Sequence, residues 1–243
     1  MDKILCSIAT RGRYDTTLPL TLNAIINQRQ SWESLHPIKL AEYACMIEMD
    51  KCKFPVGKQD QYAAAIGGLN LFEFNPTTVN IYKPYLSYET TQKLNSNILL
   101  VYSGRSRKAN QILQKQQDAM SDQTKFDLVK KGRDKAHQAS KLLSVGDLDS
   151  FGNLLHEAWM DKKQLVKEIS DDYFDNIYNS MIKAGALGGK LLGAGGGGFF
   201  IFYVQENIKD KVLKALEKFP DCQRFFFRFT DTGTEILKFS QAV

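Results

Sequence analysis

The sequence predicts an α+β protein, on three observations. Runs at 69–74, 97–102 and 199–204 are alternating or continuously apolar and rich in aromatic and branched residues, as strands are. Between them lie longer stretches with apolar residues at helical spacing, paired in the second half from 126 to 183. Strands alternating with paired helices build a layered sandwich, and 243 residues suffice to bury its core as one large domain or two small ones.

Hydrophobic content of 43% with 24% charged residues places the chain among globular proteins. The net charge of +5 is spread among interspersed lysines and acids, which excludes a nucleic-acid or membrane footprint and suits a small anionic substrate. Cys6, Cys45, Cys52 and Cys222 form no C-x-x-C pair, and the three histidines are scattered. Reduced thiols in a cytoplasmic protein are expected, rather than a zinc site. No apolar run reaches spanning length, and no signal-like segment follows Met1.

In chain order, 4–9 reads as a short strand, 10–17 has no period, and helical spacing returns at 20–27. Pro37 suits the first turn of a helix that lasts to about Asp50, with Leu40, Ala44 and Ile47 on one face. A Pro/Gly turn at 54–58 launches a small-residue helix that Gly67-Gly68 ends. The strand at 69–74 pairs with 79–82 across Asn75-Pro76, and 97–102 is a buried strand. Helices are expected over 109–120, 126–144 and 148–169, with Gly146-Asp147 as the break between the last two. Leu155 and Trp159 read as core, and His156 as a helix-face residue. Asp171-Asp172 opens a helix reaching Lys183, another runs from 207 to 219, and strands at 224–229 and 235–239 form a hairpin.

One stretch stands apart. Gly193, Gly195, Gly196, Gly197 and Gly198 fall within six positions, too costly in backbone entropy to be filler. Such a loop can turn its N–H groups toward an anion. Gly193, Gly195 and Gly198 also fit the dinucleotide spacing G-x-G-x-x-G, which needs a strand before and a helix after. Here helical spacing precedes (173–187) and a strand follows, so a nicotinamide site is not expected. A glycine shelf under a phosphate or sugar and a tight helix-to-strand turn both remain open.

Among charged residues, Asp60 sits at the turn into a helix beside Lys58, where it is either a base or anchor for a hydroxyl, or a helix cap. Glu48 ends the preceding helix; it is either solvated or one carboxylate of a Mg²⁺ site. Arg105 and Arg107 flank Ser106 just past a buried strand, as a phosphate clamp or as surface charge.

Three segments, Val56-Gly57-Lys58-Gln59-Asp60-Gln61-Tyr62-Ala63-Ala64-Ala65, Ser103-Gly104-Arg105-Ser106-Arg107 and the run from Ala184 to Gly198, resemble the GHMP small-molecule kinases. The nearest branch is that of the heptose 7-phosphate kinases, which His156-Glu157-Ala158-Trp159 also resembles. The likeness runs from about Leu22 to the C-terminus, and the glycine segment is its most specific part. It implies phosphoryl transfer from ATP·Mg²⁺ to a hydroxyl of a sugar or sugar phosphate. It places Asp60 at the catalytic aspartate, Glu48 at the Mg²⁺ acid, and Gly193 to Gly198 at the motif that supports the substrate and phosphate region. Lys58, Arg105 and Arg107 then read as cations holding a substrate phosphate and offsetting transition-state charge.

The family's opening glycine-rich segment and its serine-rich phosphate loop have no counterpart. Before Leu22 stands Ala9-Thr10-Arg11-Gly12-Arg13-Tyr14-Asp15-Thr16-Thr17-Leu18-Pro19, with one glycine and no serine cluster. The expectation is therefore a truncated N-terminal α/β domain over 1–102, followed by a ferredoxin-like C-terminal domain over 103–243. The chain alone is expected to be inactive or impaired, because this reaction depends on phosphate positioning. A homodimer or a complementing chain is a possible partner. The alternatives are another GHMP specificity, such as a hexose kinase, and a non-catalytic remnant that binds a sugar phosphate or a partner chain.

Overall fold

The computed structural model describes residues 3–8 as backbone, 36–106 and 109–235. The sequence expectations for 10–17, 20–27, Arg107 and 236–239 lie outside the described residues. Chain contacts divide the molecule into two compact units. One comprises Met1–Cys6 and Leu71–Phe227; the other comprises Ser7–Asn70 and Arg228–Val243.

The smaller unit holds two packed helices, α1 (Pro37–Cys45) and α2 (Gln59–Ile66). His36 caps α1 in extended conformation, its side chain accepting from the Ile38 N–H, and Pro37 follows as the first helical residue. The helix does not simply run on to Asp50. Residues Met46–Lys51 widen into a π turn, with the Cys52 N–H bonded to the Ile47 carbonyl at 2.9 Å. Gly67, at φ +69°, ends α2, where an added Cβ would lie 2.3 Å from the Thr232 carbonyl carbon.

The larger unit takes in β3 (Val79–Tyr82) and most of β1 (Lys3–Ile8) and β2 (Leu69–Phe74), strands that lie in the order β1-β2-β3. β2 and β3 pair antiparallel with Leu71 opposite Tyr82 and Phe74 opposite Val79, as the hairpin reading expects. Next comes α3 (Tyr88–Asn97), a helix the sequence analysis misses. Ser87 caps it by accepting from the Thr90 N–H. Leu94 is its one buried apolar residue, so no apolar stripe announces it. Asn97 therefore closes a helix, and the strand β4 is Ile98–Tyr102.

After β4 come α4 (Ala109–Asp118), α5 (Gln123–Val145), α6 (Leu148–Lys163) and α7 (Asp172–Ala184). Gly146 in the left-handed region ends α5, and Asp147 caps α6 by accepting from the Ser150 N–H at 3.1 Å. α6 stops at Lys163 rather than at Ile169. The Leu165 N–H turns back to the Lys162 carbonyl, Val166 is extended, and Lys167–Ile169 form a 3₁₀ turn. This turn buries Ile169 completely and aims its carbonyl at the glycine loop.

A second correction follows at the glycines. Helical structure ends at Ala184, and Gly188–Leu191 is a strand, β5, paired antiparallel with β6 (Phe199–Tyr203). Gly193 to Gly198 therefore bridge two strands of a hairpin, not a helix and a strand. β5 tolerates two leading glycines because it lies against α6, where a Cβ on Gly188 would stand 2.0 Å from the Gly152 carbonyl oxygen. After α8 (Lys209–Leu216), β7 spans only Gln223–Phe225. Beyond it Phe226 is 88% exposed, so the ladder predicted to reach Phe229 ends early.

The second sheet has the order β5-β6-β4-β7, antiparallel throughout. With α4–α7 between β4 and β5 and α8 between β6 and β7, this is the β-α-β-β-α-β arrangement of a ferredoxin-like layer. Its core joins Leu99 and Val101 of β4 to Trp159, Phe174, Tyr178, Phe200 and Phe202. Phe200 meets Trp159 edge-on, with ring centres 6.3 Å apart.

Candidate functional site

Glu48, Lys58 and Asp60 belong to the smaller unit; the glycine loop and Arg105 belong to the larger one. In the smaller unit, Lys58 is the residue before α2 and Asp60 lies exposed in its first turn, where a carboxylate also complements the helix dipole. The next residue, Gln61, is buried and donates from Nε2 to Glu48 Oε2 at 2.5 Å. The π turn carries Glu48, and the Phe54 N–H bonds back to its carbonyl at 3.0 Å. Lys53, at φ +56°, takes the chain out of that turn. Gln61 is a participant that sequence reasoning missed; its adjacency to Asp60 was the available signal.

Beside this group lies a cleft of about 230 Å³ lined by Glu42, Cys45, Met46, Met49, Asp50, Lys58 and Tyr62. Burial pushes the Cys45 thiol up to about 12, against the pull of the Lys58 ammonium. Cys52, by contrast, is exposed. Iodoacetamide at mildly alkaline pH is therefore expected to label Cys52 and spare Cys45 until the chain is unfolded, as read by peptide mass spectrometry. Equal labelling of both in the folded protein would contradict the burial of Cys45. Among the described residues no group of three or more His, Cys, Asp or Glu is arranged to hold a metal ion.

In the larger unit the glycine loop is tied down on several sides. All five of its glycines have positive φ, from +62° at Gly193 to +158° at Gly197, which only glycine adopts without strain. The Gly196 N–H donates to the Ile169 carbonyl at 2.9 Å and the Gly198 N–H to the Arg105 carbonyl at 2.8 Å. Those two amides are committed to the protein. Lys162, in the last turn of α6, donates to the carbonyls of Leu191 (3.1 Å) and Gly193 (2.6 Å). Gln116 of α4 donates to the Ala194 carbonyl at 2.8 Å. Neither Lys162 nor Gln116 was legible in the sequence, since each meets the loop from a distant helix.

Arg105 is held at the same loop. Its guanidinium lies over the Tyr173 ring, 3.6 Å from the centroid, and its Nη1 is 3.8 Å from Asp171 Oδ2. The ion pair is long and solvent-screened, so it contributes little. Half of the Arg105 side chain remains exposed. Tyr173 in turn donates to the Ser103 carbonyl at 2.8 Å. His156 is half-buried on α6, its Nδ1 2.8 Å from the Tyr178 hydroxyl, a structural contact in keeping with the helix-face reading. Trp159 is fully buried, as expected of core.

Residues 139–221, from α5 to the turn before β7, match the model of the C-terminal region of GHMP kinases. The resemblance is to GHMP kinases. Over 181 residues the chain is 29% identical to the D-glycero-alpha-D-manno-heptose 7-phosphate kinase of Campylobacter jejuni, a match spanning 74% of this chain and 53% of that one. It spans, that is, about half the length of this curated relative. The D-glycero-D-manno-heptose 1-phosphate kinase of Bacteriodes thetaiotaomicron superposes with a TM-score of 0.63 at 26% identity, covering 84% of this chain and 57% of that one. The galactokinase of Lactococcus lactis, solved with galactose, gives 0.69 at 17% identity over 94% of this chain and 68% of that one, a likeness of fold alone. At this coarse level the GHMP resemblance supports an enzymatic, kinase assignment. No helix among the described residues is long and apolar enough to cross a membrane.

Proposed function

We propose that this chain carries the machinery of a GHMP-type kinase that transfers a phosphoryl group from ATP to a hydroxyl of a sugar or sugar phosphate. A heptose 7-phosphate is the best-supported acceptor, given the likeness to the heptose kinases. The observation that carries the reading is Asp60, exposed in the first turn of α2, one residue before the buried Gln61 that holds Glu48. Asp60 orients or deprotonates the acceptor hydroxyl, with Lys58 beside it offsetting charge. Arg105 and Arg107 receive the acceptor's phosphate, Arg105 through the solvent-facing half of its side chain. The glycine loop supports the phosphate region through amides other than those of Gly196 and Gly198.

Glu48 fits a Mg²⁺ ion, because that ion is commonly held by one or two carboxylates together with substrate phosphates and does not require a three-residue cage. Held there, Mg²⁺ would supply positive charge that offsets the charge of the ATP phosphates. The setting is proposed to be cytoplasmic, with small molecules as partners.

Calorimetric titration of ATP·Mg²⁺ into the purified chain tests the reading, followed by a panel of heptose and hexose phosphates with product detection. Saturable binding is expected, with transfer to a heptose phosphate slowed to the extent that the missing serine-rich loop impairs phosphate positioning. Absence of binding to a folded protein would remove the nucleotide reading for this chain, and transfer only to a free hexose would replace the acceptor.

A further inference from the structure

We infer that Lys162 and Gln116 are positioning residues that preset the glycine loop for an anionic ligand by holding its carbonyls from behind. The inference rests on the kinase reading for the identity of the ligand, but its geometry is independent of it. Lys162 reaches the Leu191 and Gly193 carbonyls from the end of α6, and Gln116 reaches the Ala194 carbonyl from α4. A peptide unit is planar and trans, so its N–H points opposite to its C=O. Holding the Gly193 carbonyl therefore aims the Ala194 N–H away from Lys162. Holding the Ala194 carbonyl likewise fixes the Gly195 N–H away from Gln116. The Leu191 carbonyl belongs to the same scheme: the N–H opposite it, on Leu192, donates to the Phe199 carbonyl at 2.8 Å and closes the hairpin.

Without these clamps the segment would not keep one arrangement. Glycine has wide backbone freedom, and five of the six residues from Gly193 to Gly198 are glycine. The Gly196 and Gly198 amides anchor the far half of the loop to Ile169 and Arg105. Lys162 and Gln116 anchor the near half. Successive backbone amides of fixed direction are the elements from which an anion-binding concavity is built. Lys162 also leaves its positive charge behind the loop, at a helix C-terminus where a cation is stable.

The test compares the full chain with Lys162→Met, Lys162→Arg and Gln116→Ala. Two readouts are taken: binding of ATP·Mg²⁺ and of inorganic pyrophosphate by calorimetry, and hydrogen exchange at 193–198. Exchange at 200–203 in β6 reports on whether the fold is intact. Lys162→Met is expected to speed loop exchange and to weaken both ligands by roughly tenfold or more, the scale of losing a charge-assisted hydrogen bond. Lys162→Arg should restore both, and Gln116→Ala should act in the same direction more weakly. Should Lys162→Met fail to fold, Gln116→Ala carries the test.

Weakened binding with unchanged loop exchange would mean that Lys162 acts on the ligand as a bare charge, and would overturn the inference. Faster exchange with undiminished binding would overturn it equally, leaving a purely structural clamp. If the unaltered chain binds neither probe, the nucleotide reading itself fails and the inference falls with it. Only that outcome appears without any variant.

Discussion

Replacing Asp60 by Asn is expected to lower phosphoryl transfer by roughly 10²–10⁴-fold, the range over which a positioned general base contributes. The substitution keeps size and hydrogen-bonding reach while removing the charge and the capacity to take a proton. ATP·Mg²⁺ affinity should be unchanged, because Asp60 is assigned to the acceptor hydroxyl. Helix stability should fall only slightly, since Asp60 is exposed in the first turn of α2 and its dipole interaction is worth ~0.3–1 kcal/mol. Single-turnover assays alongside calorimetry separate the two effects. Full activity in Asp60→Asn would leave Asp60 as a helix-terminal charge alone and would move the search for a base elsewhere.

The largest stability effect is expected at Gly188. An alanine Cβ there would stand 2.0 Å from the Gly152 carbonyl oxygen and 2.7 Å from the His156 backbone nitrogen. Both are backbone atoms of α6, so no side chain can swing aside. Overpacking of this kind costs ~1–3 kcal/mol and occasionally more. In a chain of this size each kcal/mol lowers Tm by roughly 2–4 °C. Gly193→Ala supplies the contrast: its Cβ would meet nothing within 4 Å, and only its φ of +62° opposes the change. That strain is about 1–2 kcal/mol. Thermal unfolding should therefore rank Gly188→Ala as the more damaging. The opposite order would mean that β5 does not lie against α6 as closely as described.

Gly188 also shows how far the sequence could be read. α1 and α2 were legible because their ends are marked by chemistry local to the chain: His36 and Pro37 at one, Gly67 at the other. The β2–β3 hairpin was legible from alternation across Asn75-Pro76. β5 was not, because Gly188 and Gly189 read locally as breakers, and what makes them a strand is pairing with Phe202 and Tyr203 plus the close approach of α6. α3 escaped notice for the converse reason, being polar on nearly every face. At the site, Asp60 could be placed at a helix start from its neighbours alone. The partners of Arg105, however, are Asp171 and Tyr173, and those of the glycine loop come from α4 and α6. Contacts of that reach leave no local pattern to find.

The strand order β5-β6-β4-β7 has a consequence for how the chain is made. β4 sits between β6 and β7, so one of its hydrogen-bonding edges waits for residues about 100 positions further on and the other for residues about 120 further on. At a synthesis rate of ~5–20 residues per second, the Ile98–Tyr102 segment leaves the ribosome roughly 5–20 s before Phe199 exists to meet it. The α5–α6 pair, joined by the tight corner at Gly146-Asp147, can form within that interval from contacts close in sequence. During nascent-chain growth, then, the helical layer assembles first while an apolar strand is held unpaired, and that interval is where a chaperone would have its work.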